Sequence, residues 1–228
     1  MTPHFSIIIP VIHEEGVINS TIEHLETLEA SASMEIIVVD GNRSGETIGA
    51  IRNRSVKTAT GEKGRGNQMN RGAAMARGDI VVFLHADTRL PPDAFALMEG
   101  ALSDPVCQAG AFDLAIDSGR PIYRFLAKTA SFRSRLTRIP YGDQALFFRR
   151  DYFNDIGGFA NIPLMEDVEI MGRIKKRGGR IVIINRSVTT SARRWEKEGI
   201  LFCTLRNWLL ICLYFSGVSP KRLSRFYK

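Results

Sequence analysis

The sequence predicts an α/β fold, with a mostly parallel central sheet, helices on both faces and a helical C-terminal segment. Three features carry that prediction. Apolar runs at residues 5–11 (FSIIIPV), 35–40 (EIIVVD) and 80–84 (IVVFL) are too short for typical helices and fit strands buried on both faces. Stretches with apolar residues at helical spacing separate them. The second run ends on Asp40 and the third is followed closely by Asp87, which puts carboxylates at the sheet edge where open α/β sheets hold ligands.

After the first strand, residues 17–28 place Ile18, Ile22, Leu25 and Leu28 on one helical face. Residues 41–46 (GNRSGE) read as a turn and 47–54 as a helix. Residues 61–66 (GEKGRG) form a glycine-rich loop with Lys63 and Arg65. A helix over 67–77 follows, with Met69, Ala73 and Ala76 on one face and Gly78 as its C-cap. Residues 5–90 therefore read as strands alternating with helices, the pattern of a parallel sheet. Residues 92–102 predict a helix and 108–116 a strand. Residues 120–138 form an amphipathic helix, with Ile122, Phe125, Leu126, Thr129, Phe132 and Leu136 set against Arg124, Lys128, Arg133 and Arg135. A strand over 145–149, a helix over 163–177 opened by proline and acids, and a last strand over 180–184 complete the pattern.

Residues 200–218 are the most apolar stretch. The uninterrupted run 208–215 falls far short of the ~20 residues a membrane span needs. Arg206 within the stretch would cost roughly 2.5–3.5 kcal/mol in a bilayer. The segment reads as a helix packed on the domain or pairing two copies into a homodimer. Shallow contact with a membrane, beside the basic residues Lys221, Arg222, Arg225 and Lys228, is the other reading.

Hydrophobic content of 44% and charged content of 24% exclude a disordered chain. Nothing resembles a signal peptide. Cys107, Cys203 and Cys212 form no CxxC pair and read as buried thiols in a reducing cytosol. The net charge of +7 is unevenly spread: residues 1–119 carry a net −7 and residues 120–228 a net +14. The basic half suits phosphates or an anionic membrane surface, and equally an ordinary solvated surface. No nucleic-acid partner is expected.

Three acidic positions could do chemistry. Asp40 could accept hydrogen bonds from a base or ribose. Asp87 could hold a hard divalent cation alongside substrate phosphates. Asp167, next to Glu166, could take a proton from an attacking hydroxyl. Lys63, Arg65, Arg193 and Arg194 could neutralise phosphate charge. Each also has a structural reading: strand-end aspartates cap helices, and acids favour helix starts. His4, His13 and His24 show no metal-ligand spacing. The GEKGRG loop lacks the third glycine of the dinucleotide fingerprint, with Met69 in its place, and has no Walker Lys-Ser/Thr pair.

Taken together, FSIIIPVIHEE, EIIVVDGNRSGET, GRGNQMNRGAAMARGDIVVFLHADTRLPPD, GDQALFFRRDYFNDIGGF and PLMEDVEIMGRIKKRGGR resemble, in order, the motifs of family 2 glycosyltransferases of the GT-A (Rossmann-like) fold. The likeness covers residues 5–185. The ending TSARRWEKEG and GVSPKRLSRFY resembles a bacterial subgroup described as radical-SAM/selenodomain-associated transferases.

The resemblance implies transfer of a sugar from a UDP- or GDP-sugar to a hydroxyl acceptor, by direct displacement with inversion. It implies nucleotide contacts from Pro10, Glu14 and Asp40, with Arg65 nearby. It implies Mn²⁺ or Mg²⁺ on Asp87, the last residue of a D-x-D motif, and Asp167 as base beside Glu166. It further implies a single domain: a nucleotide-binding half over 1–105, an acceptor and catalytic half over 106–190, and a helical extension over 191–228. The expected location is cytoplasmic, with peripheral contact at the inner membrane face where the acceptor is a lipid phosphate. His85 replaces the first Asp of D-x-D, where an imidazole can still meet ribose or metal. Ile12 and His13 replace the usual Tyr-Asn, and Ser191 replaces the Gln of the QxxRW motif of processive relatives, which argues against a polymerising synthase. Trp195 either lines the acceptor site or packs in the core. The competing readings are a nucleotide-sugar-binding protein without turnover, marked by His85, and a nucleotidyltransferase on a similar sheet.

Overall fold

The computed structural model describes residues 3–29 and 33–227; Lys228 of the basic tail lies outside them. One eight-stranded sheet organises the chain. Its strands are β1 (Phe5–Val11), β2 (Met34–Asp40), β3 (Lys57–Thr60), β4 (Ile80–Phe83), β5 (Thr88–Arg89), β6 (Cys107–Asp117), β7 (Leu146–Arg149) and β8 (Arg180–Ser191). They lie in the order β3-β2-β1-β4-β7-β6-β8-β5. The first four are mutually parallel, as the alternating pattern requires. Beyond β4 the sheet is mixed: β7 runs antiparallel to β4 and β6, β6 pairs in parallel with β8, and β5 closes antiparallel on β8.

The helices are α1 (Ile18–Glu29), α2 (Glu46–Gly49), α3 (Arg65–Met75), α4 (Ala94–Leu102), α5 (Pro121–Thr137), α6 (Arg150–Asp155), α7 (Glu166–Lys176), α8 (Arg193–Glu198), α9 (Ile200–Phe215) and α10 (Pro220–Leu223). Alternate residues of β1 point to opposite faces. Phe5, Ile7 and Ile9 meet α1 and α4 through Ile18, Ile22, Phe95 and Met98. Ile8 meets the other layer, with Met69 and Ala73 of α3 and Ile170, Met171 and Ile174 of α7. On that side Gly72 lets α3 lie directly on β1, since a Cβ there would come within 2.4 Å of Ile8. A third cluster joins Met165 and Val168, around the start of α7, to Leu210 of α9 and Leu223 of α10.

Several elements differ from the sequence expectation. β3 carries only four residues, alternately half-buried and exposed, and its hydropathy gave no signal. The helix expected over 47–54 is the single turn α2. α3 stops at Met75 with Ala76 as its extended C-cap. Gly78 serves instead for close packing, because a Cβ there would meet the Phe5–Ser6 backbone at 2.7 Å. α7 begins at Glu166, not at Pro163. β8 continues seven residues past Ile184, through residues too polar to read as strand.

The helix α5 packs in an unexpected orientation. Its inward residues are Tyr123, Ala127, Ser131 and Ser134, and the last three are small enough to allow close approach to β6. Ser131 Oγ there accepts the Leu114 N–H at 2.9 Å. The apolar stripe of Ile122, Phe125, Phe132 and Leu136 faces solvent. No helix among the described residues is long and apolar enough to cross a membrane.

Candidate active site

Two groups of charged side chains gather beyond the carboxyl ends of β1 and β4. The first is built on β1 and β2. Asp40 is fully buried; its Oδ1 accepts the Asn42 N–H at 2.8 Å and its Oδ2 the Thr47 N–H at 3.1 Å. Asp40 is thus the cap of the turn that starts α2. Thr47 Oγ1 in turn accepts the Glu14 N–H at 3.1 Å, which fixes the loop after β1. Gln68 pins the ends of both strands, donating to Val11 O at 2.8 Å and Val39 O at 2.9 Å. Pro10 pairs in register with Val39 at that edge.

Above this platform stand Glu14 and Asp87, tied together by Arg193. The Arg193 Nη2 lies 3.0 and 2.9 Å from the two Glu14 carboxylate oxygens and 3.5 Å from Asp87 Oδ2. Arg193 comes from the start of α8, far along the chain, so the C-terminal segment straps the two halves of the edge.

The second group lies at the start of α7. Glu166 and Asp167 open that helix, where the dipole favours acids. Asp167 Oδ2 accepts the Gly142 N–H at 2.8 Å and its Oδ1 the Val168 N–H at 2.8 Å. Asp143, next to Gly142, joins them. Burial pushes Asp143 up to about 6; Arg133 and Arg65 counter that and Asp167 adds to it. Burial, with Asp167 close by, also raises Glu166, against the pull of Arg65. Burial pushes Arg133 down to about 10, while Asp143 and Asp167 favour its charge. Its guanidinium lies 3.2 Å from the Tyr141 ring centroid. Arg65 sits at the rim; desolvation opposes its charge, but Glu166, Asp167 and Asp143 raise its pKa.

His85 lies between the groups. Its Nε2 is buried and has no hydrogen-bond partner among the described residues. Desolvation first, then Arg65 and Arg194, hold the imidazole well below its usual pKa, so it is neutral. Only Gly142 leaves room for it: a Cβ there would lie 3.1 Å from His85 Nε2 and 3.7 Å from Asp167 Oδ2. Strained backbone clusters here too. His13, Ala145 and Met165 have φ of 54, 49 and 69°, each within two residues of Glu14, Asp143 or Glu166.

The structure therefore brings together Glu14, Asp87 and Arg193, and separately Arg65, His85, Glu166 and Asp167. Asp40 underlies the site as a structural cap, and Lys63 stands exposed on its loop. Trp195 packs edge-on against Tyr123, with ring centroids 6.3 Å apart. Sequence reasoning missed Asp143, Arg133 as its partner, and the space left by Gly142. The available signal was an acid placed two residues before the buried ALFF run. It also missed His13, Glu15 and Glu46, whose ligand atoms lie within 4.8 Å of one another at the rim of the first group. Positions 13, 15 and 46 are too scattered in sequence to show it.

Residues 6–160 match the family model Glycosyl transferase family 2. The chain is 26% identical over 223 residues to the probable glycosyltransferase YdaM of Bacillus subtilis, covering 86% of this chain and 51% of that protein. It is 33% identical over 106 residues to the dolichol-phosphate mannosyltransferase of Mycosarcoma maydis, covering 41% of this chain and 36% of that protein. It thus spans about half or less of the curated relatives it matches. Among solved structures, the mannosyltransferase PcManGT of Pyrobaculum calidifontis, in complex with GDP-Man and Mn²⁺, superposes with a TM-score of 0.64 at 22% identity. That match covers 83% of this chain and 57% of the other. Glucosyl-3-phosphoglycerate synthase of Mycobacterium tuberculosis, in complex with Mn²⁺, UDP and glucosyl-3-phosphoglycerate, superposes with a TM-score of 0.60 at 18% identity, covering 81% and 70%. These likenesses establish the GT-A fold, and the match over residues 6–160 establishes that the chain belongs to glycosyl transferase family 2.

Proposed function

We propose that this chain transfers a sugar from a nucleotide-diphosphate donor, a UDP- or GDP-sugar, to a hydroxyl acceptor by direct displacement with inversion. The observation that carries the reading is the pairing of a cation-seeking carboxylate, Asp87, with a helix-start acid, Asp167, on either side of His85. Residues 1–105 then hold the donor, 106–190 supply the acids, and 191–228 strap the donor side. The three free thiols suit a reducing, cytoplasmic setting.

The residues present fit a divalent cation, Mn²⁺ or Mg²⁺. Asp87 is a hard oxygen donor whose Oδ2 already draws a guanidinium to 3.5 Å, and the unpartnered His85 Nε2 stands two residues away. One or two protein ligands suffice where substrate phosphates complete the set. Such a cation would neutralise charge on the departing diphosphate.

The chain's own residues do the rest. Asp40, through the turn it caps, shapes the floor for the nucleotide beside Pro10 and Glu14. Arg193, released from Glu14, and Arg65 face the diphosphate with positive charge. Asp167 takes the acceptor hydroxyl's proton while Gly142 and Val168 N–H groups fix its orientation. Glu166 and Asp143 beside it have raised pKa values, which limits the negative charge crowded against Asp167.

The Asp167→Asn variant tests this. Transfer should fall by about 10²–10⁴, the range of general-base catalysis, with donor affinity retained. Unchanged transfer would remove Asp167 from the base role. A second reading, donor binding without turnover, draws on His85 in the D-x-D motif; it predicts nucleotide binding but no transfer in either protein.

A further inference from the structure

The most conspicuous unassigned feature is apolar. Of twelve large hydrophobic side chains that stand exposed among the described residues, eleven lie on α5, on α9 or at Phe226. On α5, Ile122, Phe125, Phe132 and Leu136 fall at spacings of three, seven and four, a single stripe opposite the buried Tyr123, Ala127 and Ser134 face. On α9 the outward stripe includes Leu201, Leu205, Trp208 and Phe215, opposite buried Cys203 and Leu210. Two helices with their apolar stripes turned to solvent exceed what scattered surface residues produce.

The two helices are linked through shared neighbours. Tyr123 of α5 meets Trp195 of α8, directly before α9. Ile139 and Tyr141, just past α5, pack on the cluster that contains Leu210 of α9. That cluster also holds Met165 and Val168, so both helices border the start of α7 with its acids.

Charge identifies what the stripes face. Residues 118–142 and 199–228 contain no Asp or Glu at all, although they carry Arg124, Lys128, Arg138, Lys221, Arg222 and Arg225. Those six are exposed, and none forms an ion pair among the described residues. Apolar stripes edged by unpaired cations, in segments stripped of acids, have the chemistry of helices that lie in the interface of an anionic bilayer. A surface for pairing two copies would instead set like charges against each other.

We propose that α5, α9 and the basic tail form one docking surface for anionic phospholipid membranes, in which the apolar side chains enter the headgroup boundary and the cations meet lipid phosphates. The assignment does not depend on the transferase reading, though it would present the Asp167 side of the site toward a membrane-held acceptor.

The test is co-sedimentation of the full chain with vesicles of phosphatidylglycerol and phosphatidylcholine, and with phosphatidylcholine alone, at low and high salt. Binding to the anionic vesicles, with a blue shift of tryptophan emission and release by salt, is expected. Each surface cation should contribute on the order of fivefold to partitioning. The double variants Trp208→Ser with Phe215→Ser, and Arg124→Glu with Lys128→Glu, should each lower partitioning at least tenfold, with melting temperature and nucleotide affinity unchanged. Failure to bind anionic vesicles, or equal binding to neutral ones at all salt concentrations, would overturn the proposal. So would a dimer in light scattering that Trp208→Ser with Phe215→Ser dissociates. Nucleotide affinity, measured separately by calorimetry, reports on the transferase reading whatever the vesicles show.

Discussion

Removing the Arg193 side chain tests how the donor side is held in register. Its guanidinium sits 2.9–3.0 Å from Glu14 and 3.5 Å from Asp87, where a divalent cation would be drawn. The pair with Asp87 is partly exposed, so water screens it to about 1 kcal/mol. Arg193→Ala therefore removes a competing positive charge and should tighten Mn²⁺ binding to the nucleotide-free protein by on the order of fivefold. With UDP or GDP present the sign reverses. A lost charge-assisted hydrogen bond to the diphosphate is worth about 1.5–3 kcal/mol, or roughly 10- to 100-fold weaker nucleotide binding. Uridine and guanosine, which lack the diphosphate, should bind as before. Calorimetric titrations of Mn²⁺ and of each nucleotide, with Arg193→Lys as a partial rescue, read all three effects. Identical cation and nucleotide affinities in the wild type and Arg193→Ala would refute the bridging role.

Two further substitutions probe the acid group. Gly142→Ala places a Cβ 3.1 Å from His85 Nε2, so the imidazole must shift by a few tenths of an ångström; transfer should drop about tenfold or more with little change in melting temperature, as small misplacements cost rate before stability. Asp143→Asn tests linkage: a carboxyl with a raised folded-state pKa costs stability as pH rises from its ordinary 3.8 through about 6. The variant should melt higher than the wild type at pH 8, by on the order of 1–2 kcal/mol once solvent screening is allowed for, and the advantage should vanish near pH 4. An advantage independent of pH would show that Asp143 is not held toward its protonated form.

Much of this architecture was legible because burial writes itself into sequence. The runs at Ile7–Ile9, Ile37–Val39 and Ile80–Phe83 are covered on both faces, so hydropathy alone marks them as strands. The polar end of β8 and the four residues of β3 lie partly in solvent and carry no such mark. Asp87 and Asp167 were legible as acids at a strand end and a helix start, Glu14 stood out only through motif resemblance, and the protein contacts of Asp40 are those of a cap. Asp143 and His13 could not be found that way, because their partners, Arg133, Asp167 and Glu46, are brought to them only by the fold. The outward stripe of α5 was visible as a pattern, but amphipathicity does not say which face is inward. The choice fell to Ala127, Ser131 and Ser134, which fit against β6 where phenylalanines would not.

Whether the Asp87 edge binds a nucleotide diphosphate through a cation can be measured directly, by calorimetric titration of UDP and GDP with and without Mn²⁺ or Mg²⁺, into the wild type and Asp87→Asn. Binding of one nucleotide that requires the cation in the wild type and is lost in Asp87→Asn is the expected result. Absence of binding by either nucleotide under every cation, or cation-dependent binding that Asp87→Asn leaves intact, would contradict the assignment of this edge as the donor site.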